Sequence, residues 1–300
     1  MKFSFETQVP VRAPYRLDLT ADALRRLAAN IVDVVTEDGV YRRALRDAQG
    51  PNLLEVKQAS ANALSVRIAG ARPQRWLRTA EMMLGTQVRL DDWYRRVRPY
   101  PWLAFLAREL RGLRPPRYPS LWEALAHSIV FQQISIHAAA SIMRRMIEAA
   151  GEPVEYAGMA YYPFPRPQEL LACAPSRLRA AGLSANKVAH LQSAAQAVVS
   201  QAVSGEEIEA LPSAEAAERL CLIRGIGPWS AAVVLLRGFG RLDVFPMKDS
   251  GVARSLRLLS GNPSLDAHAL LEALGPWKGM LYFHLLLGRV RNLVPALTDS

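Results

Sequence analysis

Residues 221–230 read "CLIRGIGPWS": two glycines stand one residue apart, and proline and tryptophan follow them. The preceding stretch, "SAEAAERLCLI", has the periodicity of a helix. Pro228 suits the first turn of a second helix, "PWSAAVVLLRG", which we expect to end at Gly238. These residues therefore predict a helix, a tight hairpin and a second helix at about residues 214–238.

The glycines of the hairpin, Gly225 and Gly227, have two interpretations that the residues alone leave open. A tight corner between packed helices needs small residues and a positive φ, which glycine adopts without strain. Alternatively, free amides at a helix N-terminus are donors for an anion, and a phosphate can reach them because no side chain intervenes. A G-x-G pattern by itself does not separate packing from phosphate binding.

The chain of 300 residues, half of them apolar, is long enough to bury a sizeable core in one large or two ordinary domains. Its longest apolar stretches are shorter than the ~20 residues of a membrane span, and its first residues lack the apolar segment of a signal peptide. We therefore expect a soluble, cytoplasmic protein. The two cysteines, Cys173 and Cys221, and five histidines without an H-x-x-x-H pattern argue against disulfides, an iron–sulfur cluster and zinc.

The formal charge of +10 favours a polyanionic partner without identifying it. Residues 1–118 contain 21 Lys and Arg against 12 Asp and Glu, whereas residues 119–300 contain 16 against 15. The excess lies in "YRRALRD", "ARPQRWLR", "WYRRVRP" and "RELRGLRPPR", which we interpret in part as solvated surface. An anion site in the C-terminal part must therefore use backbone amides and a few placed cations.

The sequence pattern changes near residue 90. Before it, "NLLEVKQ" and "ALSVRIAG" alternate apolar and polar residues with period two, which is typical of half-buried strands. After "LRPPRYP" the pattern is helical almost to the end, with Ser120 and Glu123 as a capping box and "YYPFPRPQE" as a rigid loop. We predict a small α+β domain over residues 1–90 and a helical region over residues 91–300.

The order "L-x-x-I-x-G-I-G-x-W-S-A", a helix ending in glycine and then "DVFPMKD" resembles the signature of the helix–hairpin–helix, Gly/Pro-Asp DNA glycosylase superfamily. Within it, the similarity is to the DNA-3-methyladenine glycosylase II group. The stretches "SIVFQQISIHAAA", "FPRPQEL", "GLSANKVAHL" and "GPWKGMLYFHLL" resemble further motifs of this group, so that the resemblance covers roughly residues 90–295.

This resemblance implies a mainly α fold, in which a two-lobed helical core follows a small α+β domain. It also implies a monofunctional glycosylase that flips an N3- or N7-alkylated purine out of duplex DNA and hydrolyses its N-glycosidic bond, leaving an abasic site in base-excision repair. A non-catalytic DNA-binding protein and a bifunctional glycosylase/lyase are the alternatives.

Asp249 matches the aspartate for which the superfamily is named. An N3- or N7-alkylated purine is already cationic and leaves as a neutral base, whereas the sugar becomes oxocarbenium-like and needs a nearby anion. One carboxylate can stabilise that cation and orient or deprotonate the attacking water. Asp249 also suits the N-cap of a helix, "SGVARSLRLL", and the two roles are compatible.

Trp229 stands where strand-cutting members of the superfamily have a lysine that forms a Schiff base, which predicts monofunctional chemistry. Lys248, next to Asp249, keeps a lyase activity open.

Gln133 matches the position of the wedge that fills the gap left by a flipped nucleotide. Gln132 is then the residue beside the wedge that fixes its loop, unless both glutamines are simply polar residues that end a helix.

The base pocket is the least defined part of the resemblance. Trp229 matches a pocket aromatic, and its electron-rich face suits a cationic base. Two other aromatic positions of the group fall on Val233 and Leu286. Four aromatic residues are candidates to replace them, each with a core position as the alternative: Phe131, Tyr282, Trp277 and Tyr15. The preferred base among alkylated purines is not predicted.

For the hairpin, the resemblance implies that the amides around Gly225, Gly227 and Trp229 hold a DNA phosphate, with Lys248 and Lys278 as further backbone contacts. For Lys278 a structural pairing is the alternative to a phosphate contact. It also implies a structural monovalent cation held by the main-chain carbonyls of Cys221, Ile223 and Ile226. No cofactor is expected. The expected partner is double-stranded DNA with alkylated bases, bound by a monomer that is associated with the nucleoid in a prokaryote and not with a membrane.

Overall fold

The structure is a computed structural model that describes residues 2–247 and 249–293, and only the backbone of Ser250. About half of the chain (51%) is helical, and a small antiparallel sheet lies near the N-terminus, which confirms the predicted fold class. None of the helices in the described ranges combines the length and the apolar character that crossing a bilayer requires.

The N-terminal sheet has the strand order β1-β5-β4-β3-β2 with antiparallel neighbours. Both predicted strands are confirmed, as β4 and β5. Helix α1 lies between β1 and β2 in the sequence, and α2 follows β5. The elements of this part are β1 (Phe5–Pro10), α1 (Leu17–Arg25), β2 (Val34–Val35), β3 (Tyr41–Asp47), β4 (Gly50–Ser60), β5 (Ala63–Ala69) and α2 (Pro73–Met83).

Strand β3 is the basic stretch "YRRALRD", and it corrects the expectation that this charge lies on solvated surface. Arg43 points to the inner face of the sheet and is fully buried. Its guanidinium donates to Asp33 at 2.5 Å and to Glu123, the latter on a helix of the C-terminal part, at 2.7 Å. A charge is stable in such a place only because it is paired, and sequence composition does not show the pairing.

The rest of the chain is helical, with one short hairpin of strands, β6 and β7, that the sequence analysis assigned to no strand. The elements are α3 (Asp91–Arg96), α4 (Pro101–Glu109), α5 (Leu121–Val130), α6 (Ile136–Ala150), β6 (Val154–Tyr156), β7 (Met159–Tyr161), α7 (Pro167–Ala172), α8 (Pro175–Ala180), α9 (Ala185–Val199), α10 (Gly205–Ala210), α11 (Ser213–Cys221), α12 (Pro228–Gly238), α13 (Ser250–Ser260), α14 (Ala267–Leu274), a 3₁₀ turn (Gly275–Trp277) and α15 (Lys278–Val290).

Helices α11 and α12 confirm the predicted helix–hairpin–helix, including the end of α12 at Gly238. Helix α12 lies between two apolar clusters, because Leu235 packs with the sheet and helices α5, α9 and α11, whereas Leu236 packs with α4, α14 and α15. All residues from Ser230 to Gly238 are buried. The N-terminus of α12 therefore emerges at the junction of the two clusters.

Apolar packing does not stop at residue 90. Leu19 and Ala23 of α1 belong to the same cluster as α4 and α15, and residues of the sheet share a cluster with α5 and α12. The division into domains of residues 1–90 and 91–300 stays a prediction.

The start of α5 corrects one detail of the capping box. Ser120 Oγ accepts from the Glu123 amide at 3.2 Å, as expected. The Glu123 carboxylate, however, binds Arg43 and does not return to the cap. Burial is the first cause that raises the pKa of Glu123, to about 7, while Arg43 acts to lower it and Asp33 to raise it.

Candidate active site

Asp249 is the N-cap of α13 and is held from two sides. Its Oδ1 accepts from the Val252 amide at 2.9 Å, which is the capping bond. Its Oδ2 accepts from the indole Nε1 of Trp229, also at 2.9 Å. The carboxylate is thus fixed at the junction between the hairpin and α13, and each oxygen keeps lone-pair capacity for a further donor. The bond between Trp229 and Asp249 was not predicted, because the resemblance gave the indole only a stacking role.

Arg26 is a residue of this cleft that the sequence analysis missed. It follows the last residue of α1, is only 7% exposed, and its backbone has φ 63°. Its Cζ lies 4.5 Å from the centre of the Phe131 ring, and its Nη2 is 3.4 Å from the Tyr282 hydroxyl. Burial acts to lower the pKa of Arg26, but Tyr118, Tyr282 and Asp249 outweigh it and raise that pKa. No sequence motif marks this position.

Two of the candidate pocket aromatics, Phe131 and Tyr282, therefore meet at Arg26. Phe131 is half-buried and directly follows α5, whereas Tyr282 lies in α15 and is almost fully buried. Beneath Phe131, the imidazole of His127 is stacked on the Tyr118 ring at 4.3 Å between centroids. Burial, followed by the neighbouring arginines, lowers the pKa of His127 well below its usual value, so His127 is a neutral support of this wall.

Four other residues named for the pocket lie elsewhere or remain untested. Tyr15 belongs to the core around the sheet and donates to the Leu84 carbonyl at 2.9 Å, which is the core position given above as its alternative. Val233 is one helical turn beyond Trp229 and is buried at 3% exposure. Leu286 and Trp277 are half-buried against the cluster of α4 and α15. A pocket role for these last three stays a prediction.

The wedge loop, residues 131–135, joins α5 to α6. Gln133 is exposed and has φ 56°, so its side chain projects from the tip of the loop. The adjacent Ile134 is an exposed apolar residue that the sequence analysis did not name. Gln132 instead points inward: its Nε2 donates to the Gly225 carbonyl at 2.8 Å and to Ser230 Oγ at 2.7 Å. Gln132 thus ties the wedge loop to the hairpin.

Lys187 supports the same loop. Its Nζ donates to the carbonyls of Val130 (2.7 Å) and Gln132 (2.8 Å), and burial lowers its pKa. The lysine belongs to the segment "GLSANKVAHL", whose helix begins at the N-cap Ser184 as expected. The sequence named the segment but could not show what the ammonium binds.

The two hairpin glycines differ in what surrounds them. Gly225 has φ 88°, and a Cβ there would lie 2.3 Å from Cγ of His190, so packing alone requires glycine. Gly227 has an ordinary φ of −105°, and a Cβ there would meet no atom within 4 Å. Packing therefore explains Gly225 and does not explain Gly227.

The amides of the hairpin suit an anion. Within the described ranges, those of Gly225, Gly227 and Trp229 make no hydrogen bond, and they surround the N-terminus of α12. Lys278 is half-buried at the start of α15, and its phosphate contact stays a prediction. Lys248 lies outside the described residues.

The carbonyls named for a monovalent cation are neutral oxygens, which suit a hard ion. That of Ile223 also accepts from the Ile226 amide at 3.0 Å, and a carbonyl oxygen has a second lone pair for an ion. Within the described residues, the carbonyls of Cys221 and Ile226 accept no hydrogen bond from the turn. The cation stays a prediction. In the same ranges, no group of three or more His, Cys, Asp or Glu side chains could hold a metal ion.

Comparisons with known proteins agree with this arrangement. The model of the family described as HhH-GPD superfamily base excision DNA repair protein matches residues 126–278, about half of the chain. The DNA-3-methyladenine glycosylase of Bacillus subtilis is 31% identical over 190 residues, which is 63% of this chain and 63% of that protein. This chain therefore spans about three fifths of the length of that curated relative.

Solved structures give the same result. The 3-methyladenine DNA-glycosylase from Archaeoglobus fulgidus superposes with a TM-score of 0.80 at 25% identity, covering 94% of this chain and 98% of that one. The Schizosaccharomyces pombe 3-methyladenine DNA glycosylase in complex with abasic DNA gives a TM-score of 0.51 at 26% identity, covering 66% and 92%. Together with the hairpin and the placement of Asp249, these matches confirm the resemblance: the chain belongs to the HhH-GPD superfamily of base excision DNA repair proteins.

Proposed function

We propose that this protein is a monofunctional DNA glycosylase, which flips an N3- or N7-alkylated purine out of duplex DNA and hydrolyses its glycosidic bond. The observation that carries the proposal is the carboxylate of Asp249, held at 2.9 Å by the Val252 amide and at 2.9 Å by the indole of Trp229. The 3-methyladenine glycosylases among its relatives support alkylated purines as the substrate class.

The reaction needs little beyond a fixed anion. As the glycosidic bond breaks, its electron pair goes to the cationic purine, which leaves as a neutral base. Positive charge then develops at the sugar, and Asp249 stabilises it. Water adds to the anomeric carbon and gives up a proton, which the carboxylate of Asp249 can accept as a general base. Because Asp249 caps α13 and accepts from Trp229, it does not have to reorient for this step.

The wedge loop supports base flipping. Gln133 projects from its tip, and the loop is held from behind by Lys187 and by Gln132. A rigid loop can insert a side chain into the duplex without first being ordered, which offsets part of the unstacking energy of a few kcal/mol. The amide of Gln133 can then hydrogen-bond the base left without its partner.

Two residues of the described part of the chain, Trp229 and Lys187, support monofunctional chemistry. Position 229 is an indole, which cannot form a Schiff base. Lys187, although its pKa is lowered, donates to two carbonyls on the inner side of the wedge loop and is not free to attack a sugar.

The central experiment incubates the protein with methylated duplex DNA and measures free base in wild type and in Asp249→Asn. We expect wild type to release base and Asp249→Asn to lose about a hundredfold or more of the rate, because the anion facing the sugar cation is removed. Wild type that binds DNA but releases no base would establish the binding-protein alternative. An active Asp249→Asn variant would show that the catalytic assignment is wrong, and a covalent adduct trapped by borohydride would show lyase chemistry.

The hairpin offers a matched pair of variants for the proposed phosphate contact. In Gly227→Val the new side chain meets no protein atom, and extended backbone before proline suits valine. We expect its melting temperature to stay near wild type while its affinity for duplex DNA falls about tenfold, since the side chain occupies the phosphate position.

Gly225→Val is the control, because φ 88° and the ring of His190 predict a lower melting temperature at that site. If Gly227→Val bound duplex DNA as tightly as wild type, the phosphate would have to bind elsewhere.

A further inference from the structure

Arg26 is a buried cation whose hydrogen-bonding capacity the protein leaves mostly unused. A guanidinium has five N–H donors. Among the described residues, Arg26 makes one long side-chain hydrogen bond, to Tyr282 at 3.4 Å, and its buried Nε has no partner. No carboxylate of the described part lies within ion-pair distance, although Asp249 is near enough to act on it electrostatically. Donors that are buried without acceptors suggest an acceptor supplied by a ligand.

The position of the guanidinium identifies the ligand's site. It bridges the two sides of the cleft, with Phe131 after α5 on one side and Tyr282 of α15 on the other. A small cavity of about 20 Å³ beside Arg26 is lined by the end of α1, Phe131 and residues of α6. Asp249, Trp229 and Tyr282 do not line it, so this cavity is not the site of the base, and we place the ligand on the side of the guanidinium that faces Tyr282.

The backbone of Arg26 supports a constrained position. Its φ of 63° is uncommon for a residue with a side chain, and its amide closes α1 by donating to the Asp22 carbonyl at 2.9 Å. Arg237 donates to the carbonyls of Ala23 and Leu24 and so holds the end of α1 from below. The side chain is thus directed into the cleft by a helix end that the core fixes.

We infer that Arg26 determines which flipped base the pocket accepts: its N–H groups donate to acceptors on the purine edge, and its permanent charge favours neutral purines over cationic ones. This inference rests on the proposed glycosylase function. In that pocket, Asp249 and the aromatic faces attract a cationic base, and Arg26 opposes them. Because this repulsion offsets part of the attraction for a cationic base, the substrate range broadens toward neutral lesions. Such lesions carry an oxygen or an unsubstituted N7 on the purine edge that faces Arg26.

For a neutral purine the chemistry needs such a donor. When the bond between the anomeric carbon and N9 breaks, its electron pair leaves with the base, which departs as an anion. The N–H groups of Arg26 stabilise the negative charge that develops on the base. Hydroxyl from water adds to the anomeric carbon, and the proton of that water ends on the base. A cationic purine leaves neutral and gains nothing from Arg26.

The test compares two probes under single-turnover conditions: duplex DNA with 7-methylguanine, which is cationic, and duplex DNA with hypoxanthine, which is neutral. In Arg26→Gln we expect the ratio of the two excision rate constants, 7-methylguanine over hypoxanthine, to rise about tenfold or more. Arg26→Lys keeps the charge, so its ratio is expected to stay closer to that of wild type. Melting temperatures of both variants control for folding.

Several outcomes would overturn the inference. If Arg26→Gln lowers both rate constants by the same factor, the residue only supports the structure. If the ratio is unchanged because both rates rise, Arg26 blocks the pocket without selecting among bases. Wild type that releases 7-methylguanine but no measurable hypoxanthine also refutes it. Failure of the proposed function itself looks different, because wild type would then release neither base.

Discussion

Two buried arginines near the N-terminus, Arg43 and Arg26, contact the helical part of the chain in different ways. Arg43, in strand β3, is fully buried and faces two carboxylates, Asp33 and Glu123. Arg26, at the end of α1, is almost as buried but faces aromatic rings and one hydroxyl. Arg43 is therefore a cation that joins parts of the fold, whereas the N–H donors of Arg26 remain available for a ligand.

The pairing of Arg43 has a consequence for the helix that leads to the wedge loop. One guanidinium cannot neutralise two buried carboxylates, so the cluster of Arg43, Asp33 and Glu123 has a surplus negative charge whenever both carboxyl groups are ionised. Burial with this surplus explains why the pKa of Glu123 is raised to about 7. The cluster fixes β3 against α5, and α5 ends at Phe131. The sheet thus positions one wall of the candidate pocket.

The largest effect is expected for Arg43→Met. Removing the guanidinium leaves Asp33 and Glu123 buried without their counter-charge, which costs about 3–5 kcal/mol in the free energy of unfolding. Urea unfolding followed by circular dichroism measures this difference. A loss below about 1 kcal/mol would show that Arg43 is as dispensable for the fold as we expect Arg26 to be.

A pH-dependent effect of intermediate size is expected for Asp33→Asn. In wild type, Glu123 keeps a proton up to about pH 7 when folded, but loses it near pH 4.3 when unfolded. The folded chain binds the extra proton between these values, so the contribution of Glu123 to stability falls as the pH rises from about 5 to 7. Removing the charge of Asp33 lowers the pKa of Glu123 and weakens this dependence.

Urea unfolding of both proteins at pH 5.5 and pH 8 tests this. We expect the stability of Asp33→Asn relative to wild type to increase by about 1–3 kcal/mol between the two pH values. The quantity compared is the difference in the free energy of unfolding between the variant and wild type. This choice is needed because burial lowers the pKa of His127, and that of His284 to about 4. These two histidines make the stability of both proteins rise with pH, which is opposite to the effect of Glu123. A difference independent of pH would mean that Asp33 does not act on Glu123.

The smallest effect on stability is expected for Arg26→Met. Since no carboxylate of the described residues pairs with this guanidinium at close range, an apolar side chain of similar length should change the free energy of unfolding by at most about 1 kcal/mol, or raise it. The same urea titration as for Arg43→Met provides the direct comparison. A loss as large as that of Arg43→Met would make Arg26 a structural cation and would remove the distinction between the two sites.

Residues whose role depends on local sequence were predictable. Asp249 could be named as an N-cap because capping needs only the few residues that follow it, whereas its candidate catalytic role followed from the resemblance to the superfamily motif. The helices of the hairpin and the end of α12 were likewise predictable from periodicity, proline and glycine. The hydrogen bond from the Trp229 indole to Asp249 connects two motifs that are close in sequence. It could not be predicted, because its geometry depends on how α12 and α13 pack.

Arg26 could not be identified in the same way. Its partner Tyr282 is 256 positions away in sequence, and the stretch around Arg26 has no motif. The charge of "YRRALRD" was similarly misleading, since Arg43 is balanced by the carboxylates of Asp33, which precedes β2, and of Glu123 in α5. Composition counts charges, but only the packed chain shows which of them are buried together.

By itself the sequence determined the helix–hairpin–helix and the cap position of Asp249, because these depend on turns, caps and spacing within short stretches. The family and the catalytic assignment of Asp249 followed from the resemblance of several such stretches to the motifs of the superfamily. The tertiary structure decided which hairpin glycine is required by packing, which groups Gln132 and Lys187 bind, and that Arg26 is buried with no carboxylate of the described residues at ion-pair distance. These properties arise where elements distant in the chain meet, since burial and unsatisfied hydrogen bonds exist only after the core has formed.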